Sequence, residues 1–264
     1  MKSNPALKFA AASLLMAFLT ACGGGGGGDV SGNSTGTSTN NGSTSTTPTG
    51  GSGNPGPTQG TWQGPYATNY NTRLVVLSTG ETFGLYETGT SVIGALYGDV
   101  KSDGSKVSGV LSDFVFSTIT ANTANISGSV TAEKSMLINR GSQRLDLGFA
   151  ANLQNPISVA SLAGIYSGRG SSSFSPPNNS TMTISANGTV QLPQTVCSAT
   201  GSISPHPNGQ NVFALNLTIT GNNCGRQGNT LTGVAYLDPN TQRMYVLGMN
   251  SNRTDGAYFF GLRN

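Results

Sequence analysis

The one histidine of the chain, His206, sits between Pro205 and Pro207, and it is the natural place to look for acid–base chemistry. Imidazole catalysis needs a nucleophile within reach and a carboxylate to orient the ring. Ser202 and Ser204 are the nearest hydroxyls in sequence, and neither has a recognisable partner. His206 therefore reads as a solvated turn residue. Glu81 and Glu87 share one face of an extended segment. A glycosidase needs two carboxylates at a set separation across a cleft, which nothing in the spacing indicates, so both read as solvated surface acids. A zinc site needs about four nitrogen, sulfur or oxygen ligands, and one histidine with so few thiols does not supply them. The glycines at 23–28 match a phosphate loop in composition only, since no Lys-Ser or Lys-Thr and no helical pattern follow. The expectation is a chain that is not an enzyme and carries no catalytic residue, metal or cofactor.

The remaining chemistry belongs to three cysteines. Lys2 and Lys8 supply a short positive region, and Phe9 to Leu19 is an apolar run broken only by Ser13, the layout of a secretory signal peptide. Such a run would cover roughly 16 Å as a helix, against a hydrocarbon core of about 30 Å. It is a targeting device. It ends in Leu19-Thr20-Ala21-Cys22, which resembles the lipobox of bacterial lipoproteins, where small residues fit the signal peptidase and the thiol receives a diacylglycerol. That resemblance implies removal of residues 1–21 and a mature Cys22 carrying diacylglycerol and a further fatty acid such as palmitate. Three acyl chains exceed the two signals that stable anchoring requires. The other reading is an ordinary signal peptide cut near Ala21 with an unrelated cysteine after it. Gly23, rather than Asp, follows the cysteine. Under the usual Gram-negative sorting rule this implies the outer membrane, with the periplasmic or surface side left open.

From Cys22 to Gln59 the chain is mostly Gly, Ser, Thr, Asn and Pro, and only Val30 could serve a core. Such a segment cannot bury enough apolar surface to offset its ordering entropy, which predicts a disordered tether. Its root-mean-square reach is roughly 30 to 35 Å, enough to clear lipid headgroups. Setting aside Lys2 and Lys8 leaves basic and acidic residues nearly balanced, so no electrostatic footprint for nucleic acid remains. Cys197 and Cys224 are the only other thiols. An exported chain meets an oxidising compartment, which predicts a disulfide between them; two free buried thiols are the alternative. If a hairpin pivots between Pro207 and Asn208, Cys197 lies opposite roughly Thr218, and Cys224 comes within reach if Gly221-Asn222-Asn223 folds back.

The positioning elements read as strands in two copies. Gly60-Thr61-Trp62-Gln63-Gly64 matches Gly164-Ile165-Tyr166-Ser167-Gly168, and Leu74 to Thr82 parallels Met182 to Val190 as strand, Gly turn, strand. The offset grows from 104 to 108, as a longer surface loop holding Pro176-Pro177 would produce. Further on, Ile126 to Val130 aligns with Leu231 to Ala235, and Ser135 to Ile138 with Arg243 to Val246. Each half holds about eight short β-rich segments separated by turn residues, without sustained helical periodicity. Asp103-Gly104 and Asn208-Gly209 are tight-turn dipeptides. The expected organisation is a signal peptide at 1–21, a lipidated cysteine and linker at 22–59, and all-β repeats at 60–158 and 159–264. Each repeat is an up-and-down antiparallel barrel of about eight strands; one merged barrel or a sandwich is the alternative.

A Gly-x-Trp opening an eight-stranded meander resembles the calycin group of small barrels, which Gly60-x-Trp62 fits directly and Gly164-x-Tyr166 with an aromatic replacement. The resemblance implies a ring plugging one barrel end. The plan of lipobox, tether and barrels is similar to that of Gram-negative surface lipoproteins. Barrels of this size are filled by side chains or hold one small ligand. Trp62, Tyr86, Tyr97, Tyr166, Tyr236, Tyr245 and Tyr258 serve either purpose, more often as core. The function expected is non-catalytic binding or scaffolding at the cell envelope, anchored through Cys22, with a protein as the partner. A carrier of a small apolar ligand is the alternative, and an envelope hydrolase comes third.

Overall fold

The computed structural model describes residues 56–264 apart from 68, 90, 117, 119, 173–174, 194–196, 208–210, 222–223 and 225. The signal segment, Cys22, the tether as far as residue 55 and the Asn208-Gly209 dipeptide lie outside the described residues. The first eight strands are β1 Gly60–Tyr66, β2 Tyr70–Val76, β3 Glu81–Thr88, β4 Ser91–Asp103, β5 Lys106–Val115, β6 Thr120–Thr131, β7 Ser135–Arg140 and β8 Gln143–Phe149. They pair antiparallel in chain order, and β1 against β8 closes a barrel. A connection with two short 3₁₀ turns leads to β9 Gly164–Ser172, β10 Ser175–Ile184, β11 Thr189–Leu192, β12 Ser198–Pro205, β13 Phe213–Thr220, β14 Thr230–Asp238, β15 Arg243–Met249 and β16 Gly256–Arg263. Pairing of β9 with both β10 and β16 closes a second barrel. The two repeats are therefore separate closed barrels, not one merged barrel.

Alternation decides which way each strand faces. In β8, Leu145 and Leu147 are buried while Arg144 and Asp146 are exposed, the period of two that turns apolar residues into a barrel. Trp62, Leu74, Leu96, Leu111, Ile138 and Leu145 are fully buried inside the first barrel. Tyr166, Met182, Phe213, Met244 and Phe259 do the same in the second. Each of these large side chains contributes roughly 1.5–3 kcal/mol by leaving water. The barrel centres are occupied by the protein's own side chains.

The repeat extends to individual hydrogen bonds. Gly80 N–H donates to Leu77 O, Leu77 N–H to Glu81 O and Val100 N–H to Gly80 O; Gly188, Ser185 and Ile203 repeat this with Ser185, Thr189 and Gly188. Gly80 and Gly188 sit at φ +87° and +86°, a turn geometry that side chains with a Cβ resist. The two opening rings also match. Trp62 Nε1 donates to Thr58 O at 2.8 Å and Tyr166 Oη to Leu162 O at 2.7 Å, each reaching back over the segment before its first strand. Thr58 is buried, and Gln59 N–H bonds Gly56 O. The last residues read as tether, 56–59, thus belong to the barrel, because the Trp62 indole needs their carbonyl.

Three expectations need correction. Pro176-Pro177 lies within β10, where the pairing with β9 jumps between Ser175 and Asn178, instead of forming a loop. Two prolines withhold two ladder donors, and an irregularity in the register absorbs the loss. The alignment of Ile126 to Val130 with Leu231 to Ala235 is two residues out. Val130 pairs Met136 and Leu237 pairs Met244, so Val130 corresponds to Leu237, a shift that keeps each side chain on its face. The β12–β13 hairpin opens from Pro205 opposite Phe213, so the connection is a longer loop. Buried Asn211 ties it down by donating to Leu237 O at 2.7 Å. Thr218 consequently faces Thr200 instead of Cys197.

The barrels pack through unlike faces. Val75, Phe83, Leu85, Ala95 and Phe114 point outward from β2–β5, and Val234, Tyr236, Tyr245, Leu247, Tyr258 and Phe260 point outward from β14–β16. All are buried in one shared cluster. Phe116 stacks on Tyr258 with ring centroids 4.3 Å apart.

Candidate functional site

The ends of the barrel–barrel contact carry charge. Arg73 on β2 pairs with Asp238 at the end of β14 at 3.2 Å, and Arg243 opening β15 reaches Glu87 on β3 at 3.5 Å. Arg73 lies 4.9 Å from the centroid of the Tyr245 ring and Arg243 lies 5.4 Å from that of Phe260. Burial pushes the Glu87 carboxyl up, and Arg243 and Arg73 pull against that shift. Toward β16 a second pair forms: Arg253 Nη2 donates to Glu81 Oε1 at 2.8 Å, and Tyr97 Oη donates to the same oxygen at 2.9 Å. Burial, with Glu81 beside it, pushes the Tyr97 phenol up to about 12. Glu81 and Glu87 do share a face, but they are not solvated surface acids. Each is neutralised by an arginine of the other barrel, because that face is the one that docks.

Beside the Glu81–Arg253 pair opens a cleft of about 420 Å³. Barrel one contributes Leu77, Glu81 and Phe83; barrel two contributes Ser202 and Ser204 from β12, Asn216 from β13, Thr232 from β14, His206 and Arg253. The alternation of β12 and β13 turns Ser202, Ser204 and Asn216 outward, where all three are exposed. Arg253 is held by Thr232, its Nη1 donating to Oγ1 at 3.0 Å and to the carbonyl at 3.2 Å. His206 is half-buried and joins the wall where the β12–β13 loop begins, its N–H donating to Val212 O. Burial lowers the affinity of its imidazole for a proton, and Glu81 opposes that shift. The solvated-turn reading of His206 is therefore corrected. Its side chain is half-buried against the cleft instead of standing free in solvent.

The cleft brings His206, Ser202, Ser204 and Glu81 together, which the sequence spacing did not suggest. Both side-chain hydrogen bonds to Glu81 fall on Oε1, from Arg253 of the second barrel and Tyr97 of the first. The Arg253 bond crosses between the barrels and gives Glu81 a docking role. Among the described residues no three His, Cys, Asp or Glu side chains group as a metal site.

Inside the first barrel a further polar group faces inward. Asp113 accepts from Tyr66 Oη at 2.7 Å and Tyr86 Oη at 2.6 Å, with Arg140 Nη1 at 3.9 Å. Burial and the Asp113 bond push both phenols well above their ordinary range. Arg140 also donates to Leu111 O and to Asn122, so this charge is enclosed by partners. Trp62, Tyr86 and Tyr166 point inward as core, whereas Tyr236, Tyr245 and Tyr258 lie at the barrel junction, with Tyr97 partly buried against it. None of the seven lines an open barrel interior.

Cys197 and Cys224 form a disulfide with Cα atoms 4.9 Å apart. Cys224 N–H bonds Gly221 O, so the chain does turn back beyond β13. No protein-family model, curated protein or solved structure matches this chain.

Proposed function

We propose that this chain is a non-catalytic lipoprotein of the cell envelope, anchored through Cys22 and binding a partner with its two-barrel body. The observation that carries this reading is the state of the barrel interiors, which are packed with apolar side chains of the chain itself. A carrier needs an open interior, so the filled centres argue against the small apolar ligand. Binding then falls to the outer surfaces and the cleft between the barrels, a common location for ligand sites. The non-catalytic part of the reading rests on the sequence, in which His206 has no recognisable nucleophile and carboxylate partners. Anchoring rests on the Leu19-Thr20-Ala21-Cys22 motif, and the outer-membrane location on Gly23 after it.

Crosslinking on intact cells tests the binding reading, with the Cys22→Ser chain as the unanchored control. Recovery of a partner above that control is the expected result, and no enrichment counts against it. Metabolic labelling with an alkynyl fatty acid, retained by the wild type and lost in Cys22→Ser, tests the anchor. Hydrolase activity abolished by His206→Ala would overturn the non-catalytic part.

A further inference from the structure

We infer that the cleft at the barrel junction binds a neutral, polyhydroxylated ligand the size of one or two sugar rings, an inference that rests on the binding reading above. Its volume of about 420 Å³ falls in the range of small-molecule sites, roughly 300–1,000 Å³. The charges inside cancel. Glu81 and Arg253 neutralise one another at 2.8 Å, so neither an anion nor a cation gains a net counter-charge.

What remains is a set of neutral groups that both donate and accept. Ser202 and Ser204 present hydroxyls side by side on β12, and Asn216 presents an amide from β13. A hydroxyl does the same in return, and adjacent hydroxyls on a ring suit an amide, which offers a donor and an acceptor together. Both side-chain bonds to Glu81 fall on Oε1, which leaves Oε2 as an acceptor for a ligand hydroxyl. Leu77 and Phe83, both largely buried, bound the cleft on the side of the first barrel with carbon. A wholly apolar ligand would strip water from Ser202, Ser204 and Asn216 without replacing their hydrogen bonds, at a cost for each group.

Saturation-transfer NMR on the full-length chain, with glucose, N-acetylglucosamine, maltose and chitobiose as probes, tests the assignment. At least one probe should bind saturably. Asn216→Ala should weaken that binding about tenfold, and Ser204→Trp, which fills the cleft from an exposed position, should abolish it. Asn139→Ala, on the exposed face of β7, should leave it unchanged. Silence from all four probes, or binding that survives both cleft variants unweakened, overturns the inference. If Ser204→Trp fails to fold, Asn216→Ala decides alone. A partner captured on cells together with no sugar bound would sink this inference and leave the broader reading standing.

Discussion

Arg73 of the first barrel and Asp238 of the second meet at 3.2 Å across a junction that buries most of both side chains. The Arg73 guanidinium is disfavoured by burial, yet Tyr236, Tyr245, Asp238 and Glu87 around it raise its proton affinity. Removing one member strands the other in a low-dielectric setting. Asp238→Ala should therefore cost about 3 kcal/mol, while Arg73→Met combined with Asp238→Leu should be close to neutral. Urea midpoints of the two single variants and the double variant read this directly. Equal loss in all three would refute the pairing.

The Asp113 group makes a second prediction. Replacing Asp113 with Leu leaves the Tyr86 phenol without its acceptor and the buried Arg140 guanidinium without its counter-charge, a loss of about 3 kcal/mol or more. Tyr86→Phe removes one charged hydrogen bond and should cost roughly 1.5–2 kcal/mol. Calorimetry of both variants gives the order. A Tyr86→Phe loss larger than that of Asp113→Leu would be incompatible with the geometry.

Tyr86 also explains a glycine. A Cβ on Gly94 would stand 2.2 Å from Tyr86 Oη and 2.4 Å from Phe114 O. Gly94→Ala must displace backbone as well as a ring, and should destabilise by at least about 2 kcal/mol. A thermal melt of this variant suffices, and an unchanged midpoint would contradict the packing.

His206 predicts a pH dependence. Its folded affinity for a proton is lowered below the ordinary value of 6.5, so the unfolded chain binds the proton more readily. Well above pH 6.5 both states are neutral and the group contributes nothing. As pH falls below 6.5 the unfolded state gains protons first, and stability declines until the folded pKa is passed. His206→Asn should flatten this decline. Comparing wild type and variant between pH 7.5 and 5.5 isolates the effect, because Glu87 is common to both; parallel curves would refute it.

The disulfide closes a segment with a sequence separation of 27, worth about 3.5 kcal/mol on the chain-entropy account. Cys197→Ala with Cys224→Ala should lower the denaturation midpoint accordingly. Reduction of the wild type should reproduce the loss, and a midpoint insensitive to both would exclude a stabilising staple.

Strand positions were legible because alternation is local: Leu215-Asn216-Leu217 needs no distant partner to point two residues inward. The β12–β13 register was not legible, since it depends on Asn211 reaching Leu237. A signal for the junction was present and went unused. Tyr245-Val246-Leu247 in β15 and Tyr258-Phe259-Phe260 in β16 run apolar without alternation, which is how a strand covered on both faces reads. The cleft was beyond sequence reasoning. Glu81 and Arg253 are 172 residues apart, and only the docking of two finished barrels brings them together.

A joint between unlike faces has no inherent terminus, since a third copy could add to the second as the second adds to the first, and so on into a filament. The outer faces of this chain differ from the joined ones at corresponding positions. Where Phe83 docks in β3, β11 carries exposed Gln191; where Leu247 docks in β15, β7 carries exposed Asn139. Polar side chains thus stand on the two outer faces where the joined faces carry apolar ones, so neither outer face repeats the surface that joins the barrels.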